Sequence, residues 1–173
     1  MVDYRFGRRK GFAVSGVAGC RIARTVLLTA LCTAAVAARA EWTVGQTGGC
    51  VLETGETSLF DGYQDTRLKL SLTDDGLLIR TKSNIDPGFE DVGLAVDGGD
   101  FIPADTVVDE QHVLFSGNSS TIIGQFVRGR SVKVYLRFWP TYPATQRYEA
   151  DFSLIGFTRA YNDYKECRDK SPA

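Results

Sequence analysis

The side chains that could perform acid–base or nucleophilic chemistry are few. His112 is the only histidine in the sequence. A catalytic triad needs a histidine beside a serine nucleophile and an acid, and the strained G-x-S-x-G turn that presents such a serine is absent from the sequence. We therefore predict a protein that is not an enzyme and has no catalytic residues. A hydrolase in which His112 meets an Asp or Ser in space is kept as an alternative.

Many of the carboxylates occur in pairs at positions where the chain is expected to turn. Aspartate is common in turns because its side chain bonds nearby backbone N–H groups. None of the pairs has the alternating ligand order of a calcium loop, and no glycine-rich phosphate loop is present among the 18 glycines. We predict neither a metal nor a cofactor. The pairs are Asp74-Asp75, Glu90-Asp91, Asp97 with Asp100, and Asp109-Glu110.

The N-terminal segment has the features of a secretory signal peptide. Basic residues precede an apolar run from Val26 to Ala38, and Ala38-Arg39-Ala40 fits the small-x-small cleavage pattern. The run is shorter than the roughly 20 residues that a transmembrane helix needs. Val17–Cys20 resembles a lipoprotein acylation box, but the stronger apolar run follows it. We predict residues 1–40 as a signal peptide and a periplasmic or secreted protein cleaved after Ala40.

Cleavage leaves residues 41–173, which we predict to form a single domain. Residues 1–40 hold seven of the 20 Lys and Arg but one of the 21 Asp and Glu, so the mature chain has 13 basic and 20 acidic residues, a net charge of −7. This charge disfavours nucleic acid and anionic membrane surfaces as partners. It favours a basic protein partner.

The mature chain retains two cysteines, Cys50 and Cys167, one near each end. In an exported domain such a pair predicts a disulfide. The alternative is two buried free thiols. A structural zinc ion usually takes four ligands, and two cysteines with one histidine fall short of that set.

Hydrophobic periodicity predicts a mainly β protein, an antiparallel β-sandwich or partly open barrel, with one C-terminal helix packed on it. Short strands recur along the chain, and Arg67–Lys82 alternates around a turn as a β-hairpin does. Glu41–Glu53 is predicted as one strand interrupted at Gly48-Gly49, and Thr121–Val127 as a β-branched strand. In Thr54–Gln64 we expect a loop with Leu59 and Phe60 turned inward. Phe157, Ala160, Tyr161, Tyr164 and Cys167 share one helical stripe.

The stretch with the character of a recognition surface is Trp139–Pro143. Two prolines restrict this loop, so little entropy is lost when it binds. Trp and Tyr are enriched among interface anchors. The candidate binding residues are Trp139 and Tyr142 in the loop, with Tyr135 and Arg137 facing outward on the preceding strand. Alternatively, Trp139 folds over the open end of the sandwich and plugs the core, and the composition marginally favours this plug.

The C-terminal run FSLIGFTRAYNDYKEC, residues 152–167, resembles the ending of the invasion-associated locus B family of exported bacterial proteins. The strand–helix–Cys ending and Trp42 near the mature N-terminus also resemble the TagO-type periplasmic proteins associated with type VI secretion. Asp97-Gly98 after a short apolar strand is similar to a mid-chain motif of the first family. Both resemblances imply a β-sandwich in the bacterial envelope without assigned catalysis, and neither supplies functional residues.

These inferences predict a non-enzymatic envelope protein that acts as a protein-binding or accessory module, either secretion-associated or directed at a host protein. The alternative is an inhibitor of a basic hydrolase such as lysozyme. The negative net charge and the small, disulfide-linked fold of the mature chain suit that role. The expected partner is an envelope or host protein, with no nucleic acid and no transmembrane segment in the mature chain.

Overall fold

The computed structural model describes residues 42–45, 49–140 and 146–170. The predicted signal peptide and its cleavage point lie outside the described residues. The strands are β1 (Thr43–Gly45), β2 (Val51–Glu53), β3 (Thr57–Phe60), β4 (Asp65–Thr73), β5 (Gly76–Thr81), β6 (Gly93–Val96), β7 (Ile102–Pro103), β8 (Thr106–Val108), β9 (His112–Phe115), β10 (Ser131–Leu136) and β11 (Tyr148–Ser153). The helices are α1 (Ser119–Arg128) and α2 (Phe157–Lys170).

Within the described residues these strands form two antiparallel sheets, so the fold is a β-sandwich with a C-terminal helix, as predicted. The first sheet has the order β1-β2-β4-β5-β9-β8, with β3 also paired to β4, and the second has the order β11-β10-β6-β7. Strands β7 and β8 follow one another across the short Ala104–Asp105 link, so the chain passes here from the second sheet to the first. Such strand switches form the corners of packed sheets.

Strand alternation decides which side chains form the core. From Leu68 to Leu72 on β4 and from Val132 to Leu136 on β10, every second residue is apolar and buried, as the sequence pattern predicts. Their outward neighbours are polar or aromatic. The inward residues of these two strands are Leu68, Leu70, Leu72, Val132, Val134 and Leu136.

Helix α2 is held at both of its ends. Its apolar stripe buries Phe157, Ala160, Tyr164 and Cys167, and the Cys50–Cys167 disulfide joins its last turns to the residue before β2, with a Cα–Cα distance of 6.0 Å. The predicted disulfide is therefore confirmed. At the N-terminal end of the helix, the centroid of the Phe157 ring lies 4.8 Å from that of the Trp42 ring.

Three local predictions are wrong. Residues 119–128 form helix α1 and not a strand, because Ile122 and Phe126, four residues apart, are buried together against the core. The predicted first strand is a pair, since β1 and β2 lie antiparallel to each other. The predicted loop contains strand β3, whose alternation leaves Phe60 52% exposed while Leu59 packs against the core.

Candidate binding surfaces

The outward side of the second sheet presents aromatic and cationic side chains in contact with one another. At its centre is Tyr135 on β10, the middle strand between β6 and β11. The Arg147 guanidinium lies 4.2 Å from the centroid of the Tyr135 ring, and the Phe101 ring meets Tyr135 edge-to-face at 5.8 Å. We call Phe101, Tyr135 and Arg147, together with the Phe89–Arg137 pair and the exposed Trp139, the aromatic face.

Gly93 on β6 makes room for this packing. It pairs directly with Tyr135 and with Pro103. A Cβ atom at Gly93 would lie 2.7 Å from Cζ of Phe101 and would also collide with the Ile102 carbonyl. A glycine inside a strand often marks a place where another group approaches closely. Here that group is the Phe101 ring, which thereby reaches Tyr135.

Arg137 lies two residues further along the chain than Tyr135, on the same side, and its charge has partners within the protein. Its Nη2 donates to Asp91 Oδ2 at 2.6 Å and its Nε donates to Asp91 Oδ1 at 3.0 Å. The guanidinium also lies 4.6 Å from the centroid of the Phe89 ring. The hydrogen bonds from Arg137 hold the pKa of the Asp91 carboxyl below its ordinary value.

The remaining charges on this side of the sheet are also paired. Lys133 Nζ lies 3.0 Å from Glu149 Oε2 and 4.0 Å from Asp151 Oδ2, and Arg147 Nη2 lies 3.3 Å from Glu149 Oε1. Exposed pairs of this kind contribute little stability. They do keep Lys133 and Arg147 in defined positions beside Tyr135.

Trp139 is exposed, so the interpretation in which it plugs the core is wrong. Phe138 is bridged to Ile85 and buried, and the next side chain therefore points away from the core. Trp139 is 63% exposed, and its backbone N–H donates to the Asn84 carbonyl at 2.8 Å. Three of the four predicted binding residues, Tyr135, Arg137 and Trp139, occupy alternate positions along the chain. The fourth, Tyr142, lies outside the described residues.

Sequence reasoning did not include Phe89, Phe101 or Arg147 among the binding candidates. Their contacts with the predicted residues depend on the pairing of distant strands, which local alternation does not reveal. The available signal was Gly93, a glycine in the interior of a short strand.

His112, the alternative catalytic residue, lies on the outward side of β9 in the first sheet. It lines a surface cavity of about 540 Å³ together with Arg80, Asp109 and Ser116. Ser116 is four residues further along the chain, roughly 13 Å away at the rise of a strand, and its Oγ donates to Asp105. This separation does not form a nucleophile–base pair of the kind a Ser-His-Asp hydrolase uses.

No three His, Cys, Asp or Glu side chains of residues 42–45, 49–140 and 146–170 converge as metal ligands would. In the same ranges, neither helix has the length and hydrophobicity needed to cross a bilayer.

Comparisons of the chain with protein-family models, with curated proteins and with solved structures found no match.

Proposed function

We propose that this protein is a non-enzymatic, exported module that binds a basic protein of the bacterial envelope through its aromatic face. The observation that carries the proposal is Trp139, a tryptophan 63% exposed at the end of a strand whose outward side already holds a Tyr–Arg–Phe cluster. Trp, Tyr and Arg are the residue types that dominate binding energy at protein interfaces.

The aromatic face is suited to binding because its central residues are held in place before any partner arrives. Tyr135 sits on a strand bonded to neighbours on both sides, with Phe101 and Arg147 packed on its ring. Side chains fixed in this way lose little conformational entropy on association. Sites on strands also hold their geometry more precisely than sites on loops.

Charge selects the kind of partner. The ion pairs on the aromatic face largely cancel one another, whereas the predicted mature chain has a net charge of −7. A field of that sign accelerates the approach of a basic protein and disfavours acidic ones. Export is supported by the N-terminal sequence, by the resemblance of residues 152–167 to exported envelope families, and by a disulfide, which is typical of oxidising compartments.

A site-specific photo-crosslinking experiment tests the proposal. A benzophenone amino acid replaces Phe101 on the aromatic face, which is 40% exposed, and in a matched control it replaces Phe60 on the other sheet, which is 52% exposed. We expect a basic envelope protein to be cross-linked from position 101 and not from position 60. The reverse labelling pattern would overturn the proposed surface.

Affinity measurements with the purified partner follow. Trp139→Ala is expected to weaken binding by about 2 kcal/mol, or roughly thirtyfold, as for an interface anchor. Phe60→Ala should change the affinity by no more than about twofold. Unchanged affinity in Trp139→Ala would remove Trp139 from the site. Slower association at higher ionic strength would show that charge steers the encounter.

An inhibitor of a basic hydrolase is the second candidate, favoured by the same net charge. Lysozymes are basic enzymes against which it can be tested directly. Inhibition of a lysozyme panel at micromolar protein, lost in Trp139→Ala and retained in Phe60→Ala, would identify the partner class. No inhibition across the panel would remove this candidate while leaving the accessory-module proposal intact.

A further inference from the structure

The cavity on the outward side of the first sheet is a second site, separate from the aromatic face and independent of the function proposed for it. Its volume of about 540 Å³ falls within the range of roughly 300–1,000 Å³ typical of small-ligand sites. It crosses strands β5, β9 and β8, and its chemistry differs from one end to the other.

One end of the cavity is basic. Arg80 on β5 and His112 on β9 are direct partners across the two strands, so their side chains emerge side by side on one face. The Arg80 guanidinium is poorly paired among the described residues: its Nη1 comes no closer than 3.9 Å to Glu53, and its buried Nε has no hydrogen-bond acceptor.

The reason for this poor pairing is that Glu53 is engaged elsewhere. Its carboxylate accepts from Lys69 Nζ at 2.8 Å and from Ser71 Oγ at 3.0 Å, and these partners lower the pKa of Glu53 although burial acts in the opposite direction. A guanidinium carries five N–H donors in a fork that matches a carboxylate. Nη1 and Nη2 of Arg80 therefore have donors to offer a ligand, whereas its Nε is buried.

The middle of the cavity is apolar and the far end is acidic. Leu78 and Leu114 are direct partners across β5 and β9, and both line the cavity. Asp75, in the turn before β5, lines the opposite end from Arg80. Arg80 is five positions after Asp75, a distance of roughly 16 Å along an extended chain.

We propose that this cavity binds short apolar peptides whose two termini are both free. The peptide carboxylate bonds Arg80 and His112, the apolar side chains cover Leu78 and Leu114, and the terminal ammonium group faces Asp75. An extended peptide of three residues spans roughly 10 Å, and the Arg80 and Asp75 side chains reach over the remainder. Asp109 at the basic end disfavours ligands with a second negative charge, such as phosphates.

Calorimetric titration with Leu-Ala-Leu tests the proposal. Three forms of the peptide are compared: free at both ends, amidated at the carboxyl end, and acetylated at the amino end. We expect the free form to bind, and each blocked form to bind about fivefold more weakly, because Arg80, which is partly exposed, or Asp75, which is exposed, loses the opposite charge at its end of the peptide. Amide resonances of Leu78 and Leu114 in ¹⁵N-labelled protein should shift on binding.

Two substitutions locate the ends of the peptide. In Arg80→Gln the preference for the free over the amidated peptide should fall, because His112 alone is left to bond the carboxylate, and in Asp75→Asn the free and acetylated peptides should bind alike. His112→Gln provides a second variant at the basic end in case Arg80→Gln is poorly folded. Arg67→Gln, which removes the same charge from an exposed position on the neighbouring strand, should leave all three affinities unchanged.

Equal binding of the three peptides to the unsubstituted protein would overturn the proposal, as would the absence of any binding. A full amidation effect retained in both Arg80→Gln and His112→Gln would also overturn it. Because each variant is judged by the difference between two peptides, a general loss of stability does not imitate the expected result.

Discussion

The Arg137 guanidinium binds the Asp91 carboxylate through two nitrogens, with Nη2 2.6 Å from Oδ2 and Nε 3.0 Å from Oδ1. Arg137 is 46 residues away from Asp91 in sequence. The pair joins β10 to the segment before β6, and the Phe89 ring covers the guanidinium. Arg137 therefore supports the aromatic face structurally, whereas Trp139 is exposed and can contact a partner directly.

The Asp91–Arg137 pair predicts a specific loss of stability in acid. Because Arg137 lowers the pKa of Asp91 in the folded protein, the pair stabilises the fold above the unfolded-state pKa of roughly 3.9. That contribution is lost as the pH falls through the lower folded-state pKa. We expect Asp91→Asn to reduce the unfolding free energy by about 1 kcal/mol at pH 7, allowing for solvent screening.

Urea denaturation at several pH values checks this prediction. The stability difference between the unsubstituted protein and Asp91→Asn should shrink as the pH falls below the unfolded-state pKa of roughly 3.9 and through the lowered pKa of folded Asp91. Asp151→Asn is the control, since Asp151 is 68% exposed and 4.0 Å from Lys133. A pH-independent difference for Asp91→Asn would contradict the assigned ion pair.

The Cys50–Cys167 disulfide is expected to be a major source of stability. It closes a loop with a sequence separation of 117 residues, for which the chain-entropy model predicts up to about 4–5 kcal/mol. The Cys50→Ala/Cys167→Ala double variant should therefore melt roughly 10 °C or more below the oxidised protein. Calorimetry measures the difference, and the reduced protein should match the variant. Equal melting temperatures would mean that β2 and α2 are held by packing alone.

The two tryptophans should respond in opposite ways. Trp42 is 6% exposed, packs on Phe126 and Phe157, and donates from Nε1 to the Ser153 carbonyl at 2.9 Å. Trp42→Ala should cost about 3–5 kcal/mol, as for other buried aromatic truncations. Trp139→Ala should change stability by no more than about 0.5 kcal/mol, because Trp139 is exposed.

Fluorescence separates these two environments, since the sequence contains two tryptophans. In Trp42→Phe the remaining Trp139 should emit at long wavelength and be readily quenched by acrylamide. In Trp139→Phe the remaining Trp42 should emit at shorter wavelength and resist quenching. If Trp139 were strongly protected from acrylamide quenching, it would be buried in the core, contrary to its exposed position in the structure.

A pair of glycine substitutions tests the support of the aromatic face and the assignment of α1. Gly93→Ala should cost about 1–3 kcal/mol, because its Cβ would overlap the Phe101 ring and the Ile102 carbonyl. Gly124→Ala has room, with the nearest side-chain atom 3.9 Å away on Arg128, and should stabilise the helix by about 0.5–1 kcal/mol.

Chemical denaturation of both glycine variants provides the measurement. Gly93→Ala should also weaken partner binding by the aromatic face, whereas Gly124→Ala should leave it unchanged. A destabilising Gly124→Ala would argue against a helix at 119–128. Normal stability in Gly93→Ala would contradict the close approach of Phe101 to β6.

Two kinds of feature could be predicted from the sequence: elements with a regular hydrophobic period, and the disulfide, for which only two cysteines were candidates. The alternation along β4, β5, β10 and β11 predicts which residues are buried, because side chains on a strand point to opposite faces in turn. The stripe of α2 recurs with the helical period. Cys50 and Cys167 are the two cysteines after the predicted cleavage site, so their pairing follows from counting. The same alternation predicts that Tyr135 and Arg137 face outward.

The features that the tertiary structure decided depend on contacts between residues far apart in sequence. Helix α1 forms where β-branched residues favour a strand, because burying Ile122 and Phe126 against the core outweighs their weak local preference. The register that pairs Tyr135 with Gly93 brings Phe101 into the aromatic face. The pairing of Arg80 with His112 similarly forms the basic end of the cavity. Local sequence periods determined the long alternating strands and the terminal helix. Strand register and long-range packing determined both candidate sites, since the residues of each site come from segments far apart in sequence.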